Sequence, residues 1–199
     1  MLAREIRDRL STPWHHGERI DLSGIECKGR LDLAGLELAG VDFRNARFPD
    51  GIDAHDAVFQ GLSWFGGAIF GGEVSFSGTS FRNDARFEQV TFSRKVSFAG
   101  CEFRGIGNFN GAVFEGDADF SGAVAYGNFS LEGATLRKQA DFSGAEWLGG
   151  LWCDGVRLPE NADFTDTQIH GRLWLRRALT GNRPLTADRF GLSFGYTYD

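Results

Sequence analysis

A chain of 199 residues carrying 21 Lys and Arg against 27 Asp and Glu has a net charge of −6 and a pI near 5.2, which excludes a surface dedicated to phosphate backbones, since that needs clustered cations. Glycine (28) and phenylalanine (19) are abundant while methionine (1) and proline (4) are scarce, a composition foreign to an ordinary α/β enzyme and natural for a repeat protein. Three widely separated cysteines without C-x-x-C spacing exclude a disulfide framework and a thiolate zinc site, and no apolar run reaches membrane-spanning length.

The length fits one domain in three parts. Residues 1–19 read as a cap: in LAREIRDRL, residues 2–10, Leu2, Ile6 and Leu10 fall on one helical face, and Ser11, Thr12 and Pro13 break the pattern. The charges in this stretch interrupt any secretory h-region, so a cytoplasmic protein without membrane contact is expected. From residue 20 the chain runs in fives centred on leucine or phenylalanine: IDLSG, LDLAG, LELAG, VDFRN.

From Phe43 onward, alternate steps of five and six residues land on a large apolar residue almost every time, through Phe65, Phe87, Phe109 and on to Leu175; sixteen of the nineteen phenylalanines lie on this ladder. Two residues before a rung the chain is usually small or β-branched, as at Ala85, Val96, Cys101 and Ala118, and two residues after it glycine dominates. Side chains two apart on an extended segment point the same way, so the large and the small residue both face inward, and the glycine marks a corner. Steps of five and six give no common 3.6-residue stripe, which excludes a helix. The phrase ADFSGA at 140–145 is preceded by GDADFSGA at 116–123 and followed by ADFTDT at 162–167, a 22-residue recurrence equal to four rungs. This predicts an all-β coil with four equal sides, about seven coils long, in which Asp117 and Asn128 are corner insertions, and in which the ladder exceptions Ala54 and Ala125 loosen the packing. The repeat ends near residue 175, and residues 176–199 form an irregular aromatic tail that either folds over the last coil or makes a homodimer contact at the C-terminal end.

The phrase A-D-F-S-G resembles the unit of the pentapeptide-repeat proteins, over roughly residues 20–175. The resemblance implies a right-handed quadrilateral β-helix. It also implies a bacterial setting and a function: some members are elongated acidic dimers that look like duplex DNA to type II topoisomerases and protect or inhibit gyrase.

Stacking the four sides produces outward columns. One, just before the rung on the ADFSGA side, holds Asp53, Ser75, Ser97, Asp119, Asp141 and Asp163, the aspartates of adjacent turns about 4.8 Å apart. These carboxylates either accept corner hydrogen bonds from backbone N–H groups or form an acidic stripe that imitates a nucleic-acid backbone for a protein partner such as DNA gyrase. Arg82, Arg86, Arg94, Lys95 and Arg104 in the middle coils detract from such mimicry. A second column, Asp42, Trp64, Arg86, Asn108, Ser130, Trp152 and Trp174, brings Trp152 and Trp174 together near the C-terminal end, as interface anchors or as a surface that Phe190, Phe194, Tyr196 and Tyr198 cover.

Enzymatic signatures are poor. No H-E-x-x-H, P-loop or nucleophile elbow occurs, and a narrow core filled by phenylalanine leaves no cavity for a substrate. The expectation is a non-enzymatic, cofactor-free protein-binding solenoid that does not contact nucleic acid itself. The alternatives are an enzyme or metal-dependent accessory factor that uses His15, His16 and His55 near the N-terminal cap, and a structural scaffold in a larger complex.

Overall fold

Pairs of residues in extended conformation, each followed by a turn, make up almost the whole chain in the computed structural model, which describes residues 1–15 and 17–198. The strands stack in parallel into four sheets of nine, eight, six and eight strands, the faces of a four-sided solenoid of about eight turns. We number the faces in chain order within a turn; in the second full turn they begin with Gly40–Asp42, Arg47–Phe48, Ile52–Asp53 and Val58–Phe59. Register is constant at 22 residues through the middle of the molecule, so Phe81 lies over Phe59 and Phe103 over Phe81.

Along each face the inward residue of one turn meets its equivalent in the next, and the phenylalanine rings stack in four files. Phe65, Phe87 and Phe109 repeat at 4.6 and 4.7 Å with nearly parallel planes. Phe76, Phe98 and Phe120 repeat at 5.2 and 5.0 Å, while rings of adjacent faces meet edge to face, as in Phe87–Phe98. The strand spacing of about 4.8 Å lies in the range where offset-stacked rings attract, so ladder geometry and ring packing favour the same structure. All of these rings are fully buried.

The five-residue and six-residue steps are two kinds of corner, alternating around the polygon. The five-residue corners, from first to second face and from third to fourth, are tight turns with a positive φ, as at Gly100 (φ 63°), where a side chain would have room but the backbone would be strained. The six-residue corners hold the inserted Asp117 and Asn128. Their glycines serve a different need: a Cβ on Gly149 would collide with the backbone of Gly127 one turn below.

Both ends are closed. At the N-terminus the helix Ala3–Leu10 buries Ile6 and Leu10 against the first coil, and Arg7 ties it to Asp32 at 2.7 Å. Leu2 departs from the expected stripe. It is 41 % exposed, because Met1 and Leu2 pair with the backbone of Glu26 and Lys28 instead. At the C-terminus the tail is more regular than the sequence suggests. Leu192–Ser193 and Thr197–Tyr198 extend the fourth and first faces by a further strand, which accounts for about eight turns where seven were expected. A hairpin between Leu179–Thr180 and Arg183–Pro184 extends the second face, and Phe190 folds onto the last ring of the third file, Phe164, at 4.8 Å.

The expected loosening at Ala125 does not occur. Ala125 is fully buried, and Phe129, which follows Ser63, Ala85 and Gly107 in the inward column of the first face and precedes Leu151, fills the space between Phe103 (5.2 Å) and Trp147 (4.4 Å). Gly107, next to Phe129, is the small residue that makes room for it; a Cβ there would meet the Phe129 ring.

Candidate binding faces

The outward position of the third face is a single column in strict register: Asp32, Asp53, Ser75, Ser97, Asp119, Asp141 and Asp163. Asp32 heads it, one turn before the first member found in the sequence. Each aspartate accepts a hydrogen bond from the backbone N–H two residues on, from Ala34, His55, Ser121, Ser143 and Thr165 in turn. The corner reading is therefore realised at every aspartate of the column. The same motif recurs on the first face at Asp42, where the acceptor serves Arg44 N–H.

Corner bonding uses one oxygen of each carboxylate. The second oxygen of Asp119 accepts from the Ser97 hydroxyl at 3.1 Å, and Ser97 in turn accepts from Ser77 at 2.9 Å. The second oxygens of Asp141 and Asp163 have no hydrogen-bond partner among the described residues, and Asp163 is exposed. Thr165 hydrogen bonds hold the Asp163 carboxyl below the usual carboxylate range. At the other end of the column the charge is answered. Asp53 receives His55 Nδ1 at 2.8 Å and faces Arg30 at 3.5 Å; burial works against its charge, but the His55 bonds outweigh it and its pKa is lowered, while that of His55 is raised by Asp53. The stripe is thus open only over its last two turns, at Asp141 and Asp163, and hydroxyls interrupt it at Ser75 and Ser97.

The basic residues of the middle coils do not form one belt. Arg86, on the first face, is closed onto Asp84 and Glu88, and Arg104, just past the fourth face, onto Glu102. Arg82 lies on the same corner as Arg104, one turn earlier, whereas Arg94 and Lys95 stand on the corner between the second and third faces. None of the five belongs to the acidic column.

The tryptophan column on the first face is likewise in register, Trp152 with Trp174 and Trp174 with Tyr198. The tail reaches it: the Tyr198 ring stacks on Trp174 at 4.1 Å. Phe190 is buried, but Phe194 and Tyr196 are 67 % and 78 % exposed, so the aromatic surface is moved outward by one turn. Sequence reasoning missed Tyr126, half exposed on the corner before the first face, with Arg104 over its ring. Trp64 is flanked by Arg19 and Arg44 guanidinium groups at 4.9 and 5.7 Å, and a cavity of about 180 Å³ lies between it and Trp14.

The two described N-terminal histidines have separate partners. His15 bonds to Glu18 ahead of the first face, His55 is engaged by Asp53, and His16 lies outside the described residues. Among the described residues no group of three or more His, Cys, Asp or Glu side chains is arranged to hold a metal. No helix is long and apolar enough to cross a membrane.

Three comparisons bear on this architecture. A family model described as pentapeptide repeats, in nine copies, matches residues 35–80, 76–124 and 87–135. No curated protein matches the chain. Among solved structures, that of QnrB1, described as a plasmid-mediated fluoroquinolone resistance protein, is similar with a TM-score of 0.51 over 92 % of this chain and 85 % of its own, at 18 % identity; at that identity the likeness is one of fold.

Proposed function

The chain belongs to the pentapeptide-repeat family, and from that premise we propose that it is a non-enzymatic binding protein whose third face presents carboxylates to a protein partner, in its most specific form as a DNA mimic toward a bacterial type II topoisomerase such as gyrase. The observation that carries this reading is the run of Asp119, Asp141 and Asp163 in consecutive turns, with outer oxygens of the last two left without a hydrogen-bond partner among the described residues. Their spacing of about 4.8 Å is wider than the roughly 3.4 Å per phosphate along one strand of duplex DNA, but of the same order. QnrB1, whose description concerns fluoroquinolone resistance, lends support at the level of the fold. The exposed aromatic C-terminal end, with Phe194 and Tyr196 beyond Trp152 and Trp174, supplies a further contact, to that partner or to another copy of the chain in a homodimer.

The test is a supercoiling and cleavage-complex assay of bacterial gyrase with increasing protein, beside an Asp141→Asn, Asp163→Asn variant. Asparagine keeps an oxygen for the corner N–H and removes only the charge. Inhibition or protection by the parent chain, weakened about tenfold or more in the variant, is the expected result. No effect of the parent chain would discard the topoisomerase; an equal effect of both would discard the acidic face.

A further inference from the structure

The corner between the second and third faces carries charges that the chain does not neutralise for itself. Glu73, Arg94, Lys95, Lys138 and Glu160 are all exposed there and enter no ion pair among the described residues, in contrast to Arg86, Arg104 and Arg44 on the other faces. From the second turn of this corner onward, only Glu115 and Arg137 meet among the described residues, at 3.0 Å. The first turn of the corner carries Lys28 and Arg30 and lies outside the eight strands of the second face; from the second turn onward the corner is negative at Asp50, negative at Glu73 and positive at Arg94 and Lys95. It is then negative at Glu115 and Asp117, positive at Arg137 and Lys138, negative at Glu160, neutral at Asn182, and positive at Arg183 in the closing hairpin.

That order has a property of its own: laid against itself in reverse, it never sets like against like. Asp50 falls opposite Arg183, Glu73 opposite Asn182, the Arg94–Lys95 pair opposite Glu160, and the Glu115 and Asp117 turn opposite Arg137 and Lys138. The adjoining second face obeys the same operation. Its outward column holds Ile69, Thr91, Val113 and Thr135 in successive strands between Arg47 and Arg157, a flat uncharged surface. Reversal sets Val113 on Thr135 and Ile69 on Leu179, and opposes neither Arg47 nor Arg157 to a cation.

We propose that this face and corner form the docking surface for a second copy of the same chain, laid antiparallel about a twofold axis that passes between Val113 and Thr135. A twofold along the strand direction is the operation that lays this corner upon itself while reversing the solenoid, and it makes the contact isologous. Eight strands at about 4.8 Å and one side of roughly 15 Å give about 500 Å² per copy, or about 1,000 Å² in all, the lower bound for a specific interface. Such a dimer is weak and, because exposed ion pairs hold its register, sensitive to salt. It is separate from the C-terminal end, which it leaves free.

Sedimentation of the full chain over a concentration series, in about 50 mM and about 500 mM salt, tests it. A dimer at low salt whose dissociation constant rises about tenfold or more at high salt is expected. Arg137→Glu with Lys138→Glu should weaken it by at least about tenfold, and adding Glu115→Arg with Asp117→Lys in the same chain should return it to within about threefold, because each copy then offers the opposite sign at both positions. Circular dichroism and melting of each variant identify any loss of fold, and a Phe194→Ser, Tyr196→Ser variant should dimerise like the parent. A parent chain that stays monomeric at low salt, a folded four-fold variant that fails to recover, or a dimer that ignores the charge swaps but is lost on changing Phe194 and Tyr196 would each overturn the proposal.

Discussion

Phe129 and Ala125 exchange the roles that the ladder assigns to their positions, and the exchange is testable. Phe129→Ala should destabilise by about 3–5 kcal/mol, the range for emptying a buried phenylalanine site, since its ring lies between Phe103 and Trp147. Adding Ala125→Phe should recover at least about half of that loss in a urea titration, because the second ring would occupy the same space from the ladder position. No recovery would mean that Trp147, not the void, dictates the local packing. The sequence shows Ala125 as a gap in a regular ladder but carries no mark that Phe129, four residues later, turns into it: period gives direction, and volume exchange between columns is a three-dimensional property. The acidic column was legible down to its register, because 22-residue spacing places its members by arithmetic. The division between carboxylates with a free oxygen and carboxylates fully engaged was not, because it depends on which hydroxyl, Ser97 or Ser121, stands within reach.

Corners are the elements in which similar letters conceal different physics. Gly100 permits a positive φ, whereas Gly149 leaves room for a backbone, and the sequence spells both alike. The corner at Asp53 and His55 also joins the fold to pH. His55, whose pKa is raised by its bond to Asp53, contributes stability that is complete below its unfolded value of 6.5 and is lost as the pH rises through the folded value. Asp53, whose pKa is lowered, contributes stability that is complete above its unfolded value of 3.8 and is lost as the pH falls through the folded one. Replacing His55 by Gln should therefore lower the melting temperature at about pH 5.5 and leave it nearly unchanged at about pH 8.5. A deficit of equal size at both pH values would assign the effect to packing instead of charge.

Each turn of the molecule touches only the turns next to it, so its stability is approximately a chain of nearest-neighbour terms. Three thiols sample that chain, Cys27 in the first turn, Cys101 near the middle and Cys153 near the end, all free and buried. Burial pushes the Cys153 thiol up to about 12 and that of Cys101 well above the ordinary value, so neither reacts as a thiolate until its turn opens. In sub-denaturing urea a thiol reagent should modify Cys27 and Cys153 before Cys101, because a stack frays from its ends. Equal rates for all three would show that the solenoid opens as one unit. The four faces could be read from the sequence because every turn states the pattern again; the last turn could not, because its strands are 24 residues from those beneath them and carry no inward phenylalanine.

The constant register of the middle turns makes the molecule a ruler graduated in steps of about 4.8 Å. Whole turns could be added or removed between Ser75 and Ser97 without altering the chemistry of either end. The separation between the neutralised carboxylate at Asp53 and the open ones at Asp141 and Asp163 is therefore a quantity that evolution or design can set in integers, by gene duplication of 66 base pairs at a time, roughly three per residue of a 22-residue turn.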